Sequence, residues 1–324
     1  MQAQFRYTVI FLFVLSLSAC FKEERPIPKN ERGPLSFASY DMGSRYDSSL
    51  FYSILEKKNT KTINKYDWHL GFYVDSSKAH IIINTGIPIK VYKTLQTQFE
   101  EVTDSNGFSQ LEITEFPNGD LDSLALKNAL TTNVVYALDL GRNTDLQWQG
   151  FRLIKIKKEA NGYKLQYTQL GGVNPKTESI SFAQNKNYHL YNLLNGQSLK
   201  EPQSNDWEIQ IKQYLHIYYN PFQTYAVVGC HINPERVKAY QYKGSKKFKD
   251  IDLSDVNFSS FSDKKDVIGF SWKRYDLNAN VYVIDSEKSY ILLIDNQKLY
   301  KLHFVGFYNN QGEKGCPQFE YVEL

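Results

Sequence analysis

Residues 206–233 read DWEIQIKQYLHIYYNPFQTYAVVGCHIN. Two apolar runs, 207–219 and 225–232, flank the break Asn220-Pro221-Phe222-Gln223-Thr224. The first is rich in Ile and Tyr and the second in Val, side chains that suit a pleated surface. Two strand-length runs around a Pro-containing break predict a hairpin or a strand–loop–strand unit. A degraded copy lies 139 residues earlier, where Asp67-Trp68-His69-Leu70-Gly71-Phe72 precedes Ile81-Ile82-Ile83-Asn84. In the later copy Asp206-Trp207-Glu208-Ile209-Gln210-Ile211 precedes Cys230-His231-Ile232-Asn233.

The recurrence extends beyond these segments. Tyr52 and Tyr191 each lie 16 residues before their Trp, in runs 50–55 and 188–194. Each half ends on an aromatic–aliphatic strand closed by Asp139 or Asp295, then an apolar strand, a Gly turn and a last strand. Elements recurring in register argue for duplication into two tandem, related antiparallel β domains, 37–175 and 180–324. Further strand-like runs in the first half cover 68–74, 80–84, 89–92, 111–115, 134–140, 151–156 and 163–169. Asn161-Gly162 reads as a hairpin turn, since both residues tolerate positive φ. Residues 123–130 read as a short helix, with Leu124, Leu126 and Leu130 near one face. The 24 Tyr and 20 Phe, set among Asn/Gly turns, fit an all-β chain.

The N-terminus carries targeting information. Arg6 precedes a short apolar run at 9–17, too short to span a bilayer. Leu17-Ser18-Ala19-Cys20 then has the pattern of a bacterial lipobox, which makes 1–19 a signal peptide and Cys20 the lipidated N-terminus. Residues 20–36, with mixed charge and three prolines, read as a flexible tether. The expected placement is lipid-anchored at the outer membrane, on the cell surface or the periplasmic face. The formal net charge of +3 gives no reason to expect nucleic acid as a partner.

No catalytic motif is present: no Gly-x-Ser-x-Gly elbow, His-Glu-x-x-His, P-loop or Gly-x-Gly-x-x-Gly. The chain reads as a non-enzyme. Asp120 and Asp122 beside Gly119 lack the remaining ligands of a Ca²⁺ loop and read as a polar turn. Cys230 and Cys316 are open to a disulfide or to two buried thiols, with free thiols favoured. Of six histidines, His216 and His231 stand out, because a hairpin across 220–224 would bring them near each other. His216 shares a strand face with Tyr214 and Tyr218, a setting suited to a flat aromatic ligand or to an aromatic core.

Several motifs in order resemble the HmuY-like family of Gram-negative lipoproteins. They are the lipobox, Tyr191-Asn192-Leu193-Leu194-Asn195-Gly196, Asp206-Trp207 leading into Tyr214, and Val228-Gly229-Cys230-His231-Ile232-Asn233. Ile268-Gly269-Phe270-Ser271-Trp272-Lys273 and Tyr300-Lys301-Leu302-His303-Phe304-Val305 follow. In the first half Asp41-Met42-Gly43, Asp67-Trp68 and Phe116-Pro117-Asn118-Gly119-Asp120 add to the likeness. The resemblance implies an all-β protein displayed at the outer membrane that takes haem, or haem from haemoproteins, for delivery to an outer-membrane transporter. It implies axial coordination by His or Met. Past Cys20 the chain has one methionine, Met42, so a Met–Met site is excluded. The match is densest in the second half, where aromatic residues also gather, so the expected haem site lies there, with His216 or His231 as axial (metal) ligand and Tyr218 and Trp272 against the macrocycle. Lys273 and Arg274 would face the propionates. The alternative is a surface scaffold or interaction lipoprotein on the same fold, with no cofactor.

Overall fold

The computed structural model describes residues 33–184 and 186–324. The signal segment, Cys20 and the tether up to residue 32 lie outside the described residues. Among the described residues the protein is all-β, built of antiparallel strands, and its helices are 3-10 turns of three or four residues. The helix expected over 123–130 is instead a 3-10 turn at Leu121–Ser123 followed by irregular turns. Leu124 and Leu126 are buried as expected; Asp120 caps the start of the turn by accepting from Asp122 N at 3.0 Å, and the extended backbone of Leu124 ends it. This capping contact is also what the Asp120/Asp122 pair does in the fold.

Two lobes account for the four large sheets. One lobe is contiguous in sequence. Its first sheet runs Ser198–Lys200, Tyr188–Tyr191, Leu70–Tyr73, Ile81–Ile83. Its second runs Lys176–Ser181, Gly162–Gln169, Phe151–Glu159, Tyr136–Asp139, Lys90–Lys93, Glu112–Ile113. The other lobe is made from both ends of the chain. Lys58–Asn64, Ser48–Ser53, Ile209–Tyr219 and Phe222–Ile232 form one sheet. Ser36–Ser39, Lys314–Glu323, Lys298–Tyr308, Ser289–Ile294 and Val237–Gln241 form the other. The strand order of one lobe matches that of the other, position for position, apart from the extra edge strand Glu112–Ile113.

The expected boundary between 175 and 180 is therefore corrected. The lobes divide near residue 65 and near residue 200, so each repeat gives its opening strands to the other repeat's lobe. Ile209, Gln210 and Ile211 pair with Tyr52, Phe51 and Leu50, while Leu70 to Tyr73 pair with Tyr191 to Tyr188. Burial explains why the exchange holds: Leu50, Tyr52 and Ile54 sit in one core with Ile209, Ile232 and Phe304. Leu70, Phe72, Tyr191 and Leu193 sit in the other with Leu138 and Ile154. At the joint, Phe51 and Ile63 of one lobe meet Trp68 and Leu190 of the other, with Trp207 edge-on to Phe51 at 5.0 Å.

Turn chemistry matches the residues. The turn after Glu159 is Ala160-Asn161, one residue earlier than expected, and Gly162 is already the first rung of the ladder. A Cβ at Gly162 would lie 2.1 Å from Ile180 O, so only glycine fits there. The long hairpin closes on Asn220-Pro221, a cis peptide, rather than on the whole stretch 220–224.

Candidate functional site

The long hairpin is where the two repeats differ most. In the first repeat the corresponding strands are Leu70–Tyr73 and Ile81–Ile83; in the second they are the 11-residue strands Ile209–Tyr219 and Phe222–Ile232. The extension carries its aromatic residues into solvent: Tyr219 is 72% and Phe222 60% exposed, and Tyr218 and Tyr225 are also exposed. Tyr219 stacks on Phe116 of the other lobe, centroids 6.2 Å apart. Exposed aromatic groups gathered at one strand end form the kind of apolar patch found at interaction surfaces.

His216 lies on this extension, opposite Tyr225 in the ladder. It is half-buried, with Tyr218 edge-on at 4.8 Å and Phe270 at 4.7 Å. Burial lowers its pKa below the usual 6.5, against the opposing pull of Asp266, so the ring is neutral at neutral pH. Neutral imidazole is the form that binds a metal.

His231 is elsewhere. Its ladder partner is Gln210, six rungs from His216, which is about 20 Å at the rise of a strand. The expectation that the hairpin brings the two histidines together is corrected: antiparallel register fixes them at opposite ends of the ladder. His231 is 2% exposed, packs on Tyr214 at 4.4 Å, and neither ring nitrogen has a hydrogen-bond partner. Burial, then the nearby Lys212 and Lys265, hold its pKa well below 6.5. The Gly229 site makes this packing possible, since a Cβ there would strike Gly269 O at 2.6 Å and Tyr214 at 2.9 Å.

Trp272 is also corrected. It is fully buried, stacked on Phe304 at 4.0 Å in the core on the opposite face of the sheet, so it presents no surface to a ligand. Lys273 turns inward beside it. Its ammonium lies over Trp272 at 4.1 Å and Phe307 at 4.8 Å and donates to Val228 O; burial lowers its pKa to about 7. Arg274 stays at the surface with Asp276 at 3.6 Å. Met42 is buried in the core, and Cys230 and Cys316 are both buried free thiols.

A second feature carried no readable signal in the sequence. A cavity of about 580 Å³ lies between the lobes. One wall holds Tyr73, His80, Tyr188 and Glu201; the facing wall holds Trp207, Lys212 and His231; loops 115–121 and 263–265 roof it. Glu235 bridges its mouth, 3.1 Å from Lys78 and 3.2 Å from Lys186. Its residues are scattered from Tyr73 to Lys265, 192 positions apart in sequence, which is why periodicity and spacing miss it.

These features can be set beside known proteins. No curated protein matches the chain. Among solved structures, apo PinO from Porphyromonas gingivitis aligns over 90% of this chain and 98% of its own, at 8% identity and TM-score 0.37. A putative HmuY-like heme-binding protein from Bacteroides vulgatus aligns over 90% and 94%, at 11% identity and TM-score 0.25. The apo HmuY analog of Tannerella forsythia covers 53% of this chain and 96% of its own, at 16% identity and TM-score 0.24. Likenesses this weak carry no argument alone. The model of the HmuY protein family, by contrast, matches residues 45–321, nearly the whole described structure, and the chain belongs to that family.

Proposed function

We propose that the protein is a haem or porphyrin carrier, held at the outer membrane through Cys20 and without catalytic activity of its own. In this reading it passes its cargo to an outer-membrane transporter. The observation that carries the reading is His216: a neutral imidazole, reachable from solvent, flanked by Tyr218 and Phe270 and facing Tyr225 across the ladder. The residues fit a porphyrin in two respects. One imidazole supplies an axial ligand, and aromatic faces cover the flat ring, where burial supplies most of the affinity. The fit is to a single axial histidine, because His231 stands six rungs away and Met42 is in the core.

Haem titration followed by Soret absorption tests this. The parent should show a saturable spectral change that His216→Ala weakens and shifts and His231→Ala leaves in place. No saturable change in the parent removes the haem reading and leaves the exposed aromatic end as a protein-docking surface. An unchanged spectrum and affinity in His216→Ala removes the site assignment.

A further inference from the structure

The cavity between the lobes is built unlike a packing defect. Lys212 is 9% exposed and lines it, and among the described residues its ammonium has no hydrogen-bond or ion-pair partner. His231, on the same sheet face one diagonal away, offers two ring nitrogens without partners. A buried ammonium and a buried imidazole left unsatisfied are each costly, and native structures rarely keep either without a use. Lys265 enters from the roof, its ammonium over the Tyr188 ring at 5.6 Å.

The acidic groups do not cancel these cations by contact. Glu115 is tied to the backbone, both oxygens 3.2 Å from Ile83 N, and burial raises its pKa to about 8, so it is mostly a neutral acid at pH 7. Burial likewise raises Glu201. Glu235 is spent on Lys78 and Lys186 at the mouth. His80 is neutral, with Nδ1–H donating to Lys78 O at 2.5 Å and Nε2 accepting from Tyr188 OH at 2.6 Å. Inside stand two ammonium groups, the unpartnered imidazole and the neutral Glu115 carboxyl, with the Glu201 carboxyl, raised by burial and drawn down by Lys265 and Lys212, beside the Trp207 and Tyr188 rings.

We infer that this interlobe cavity binds a small organic oxyanion, a carboxylate- or phosphate-bearing molecule whose anionic group sits on Lys212 and Lys265 with His231 beside it. A space of about 580 Å³ is within the range of small-molecule sites, which favour the joints between domains. The inference is independent of the haem reading, which places its ligand at the outer end of the hairpin.

The test is calorimetry on the full chain with two probes, citrate and inorganic phosphate. Saturable binding of at least one is expected, and the one that binds names the anionic group. Lys212→Met and, separately, Lys265→Met should each weaken it at least tenfold. Lys265 is only half-buried, so its variant keeps the test alive if Lys212→Met fails to fold. Absence of saturable binding for both probes overturns the proposal, as does binding that the foldable variants leave unchanged. A haem titration unaltered by saturating citrate keeps the two sites separate; competition between them overturns the claim of a distinct site.

Discussion

Asn84 and Asn233 do the same work at equivalent points of the two repeats. The Asn84 carboxamide donates to Lys65 O at 2.6 Å and Trp68 O at 2.9 Å; that of Asn233 donates to Ser204 O at 2.7 Å and Trp207 O at 3.0 Å. Each also accepts from a backbone N–H two residues on, Gly86 or Glu235. One side chain thus locks a 3-10 turn, a tryptophan and the following strand. Asn84→Ala or Asn233→Ala should cost about 1–3 kcal/mol for each buried carbonyl left bare. Denaturant midpoints should fall for both variants, and unchanged midpoints would show that water satisfies these carbonyls.

His69 predicts an acid-side loss of stability. It has no exposed surface, its Nδ1 accepts from Leu193 N at 3.1 Å, and burial pushes its pKa from 6.5 down to about 4. Its folded-state value is depressed, so the unfolded chain takes up the proton first as pH falls. The stability is present above pH 6.5 and is lost as pH drops toward and through 4. The full displacement is worth about 3 kcal/mol. His69→Gln should flatten unfolding free energy against pH in that window by about a third, because His80 and His231 are displaced in the same direction.

Glu115 predicts the opposite slope. Its pKa is raised from 4.5 to about 8 by burial, so stability is fully present below pH 4.5 and declines as pH rises through 8. Glu115→Gln should match the parent at pH 4.5 and exceed it at pH 7.5 by about 2–4 kcal/mol. Equal stability at both pH values would mean the carboxyl ionises freely in a wet cavity.

The extension of the long hairpin should be dispensable for folding. Replacing residues 215–226 by Asn-Gly leaves Tyr214 opposite Val227 and keeps the core rungs Ile209, Ile211, Val228, Cys230 and Ile232. The expected product folds cooperatively, with a melting temperature lowered modestly by the loss of the buried Ile217, and gives no haem titration. A collapse in stability would make the extension a structural element.

Cys230 and Cys316 should stay unreactive in the folded protein. Cys230 is fully buried and burial pushes its thiol pKa up; Cys316 is buried with its sulfur 3.4 Å from Ser39 Oγ. A chromogenic disulfide reagent should react slowly with native protein and promptly with both thiols in denaturant. Prompt reaction of the native protein would place one of them at the surface.

The all-β class and the repeat were legible in the chain, because strands announce themselves through Ile, Val and Tyr runs and the two Asp-Trp segments recur in register. The long hairpin was legible for the same reason, down to its Pro-containing turn. The family was legible in the order of short motifs around Trp207, His231 and Trp272. The pairing between repeats was not: order along the chain does not say which edge a strand meets, and Leu50 and Tyr52 complete the core around Ile209 rather than their own repeat's. Register also separated His216 from His231, since nothing in local sequence measures distance along a ladder. Trp272 and Lys273 both went into the core although adjacent, because Trp272 sits in the turn before the strand Lys273–Asp276, where no alternation applies, and the Lys273 ammonium folds back over its ring. The cavity and the lone ammonium of Lys212 exist only where two lobes meet, and only the tertiary structure decides what lies across such a gap.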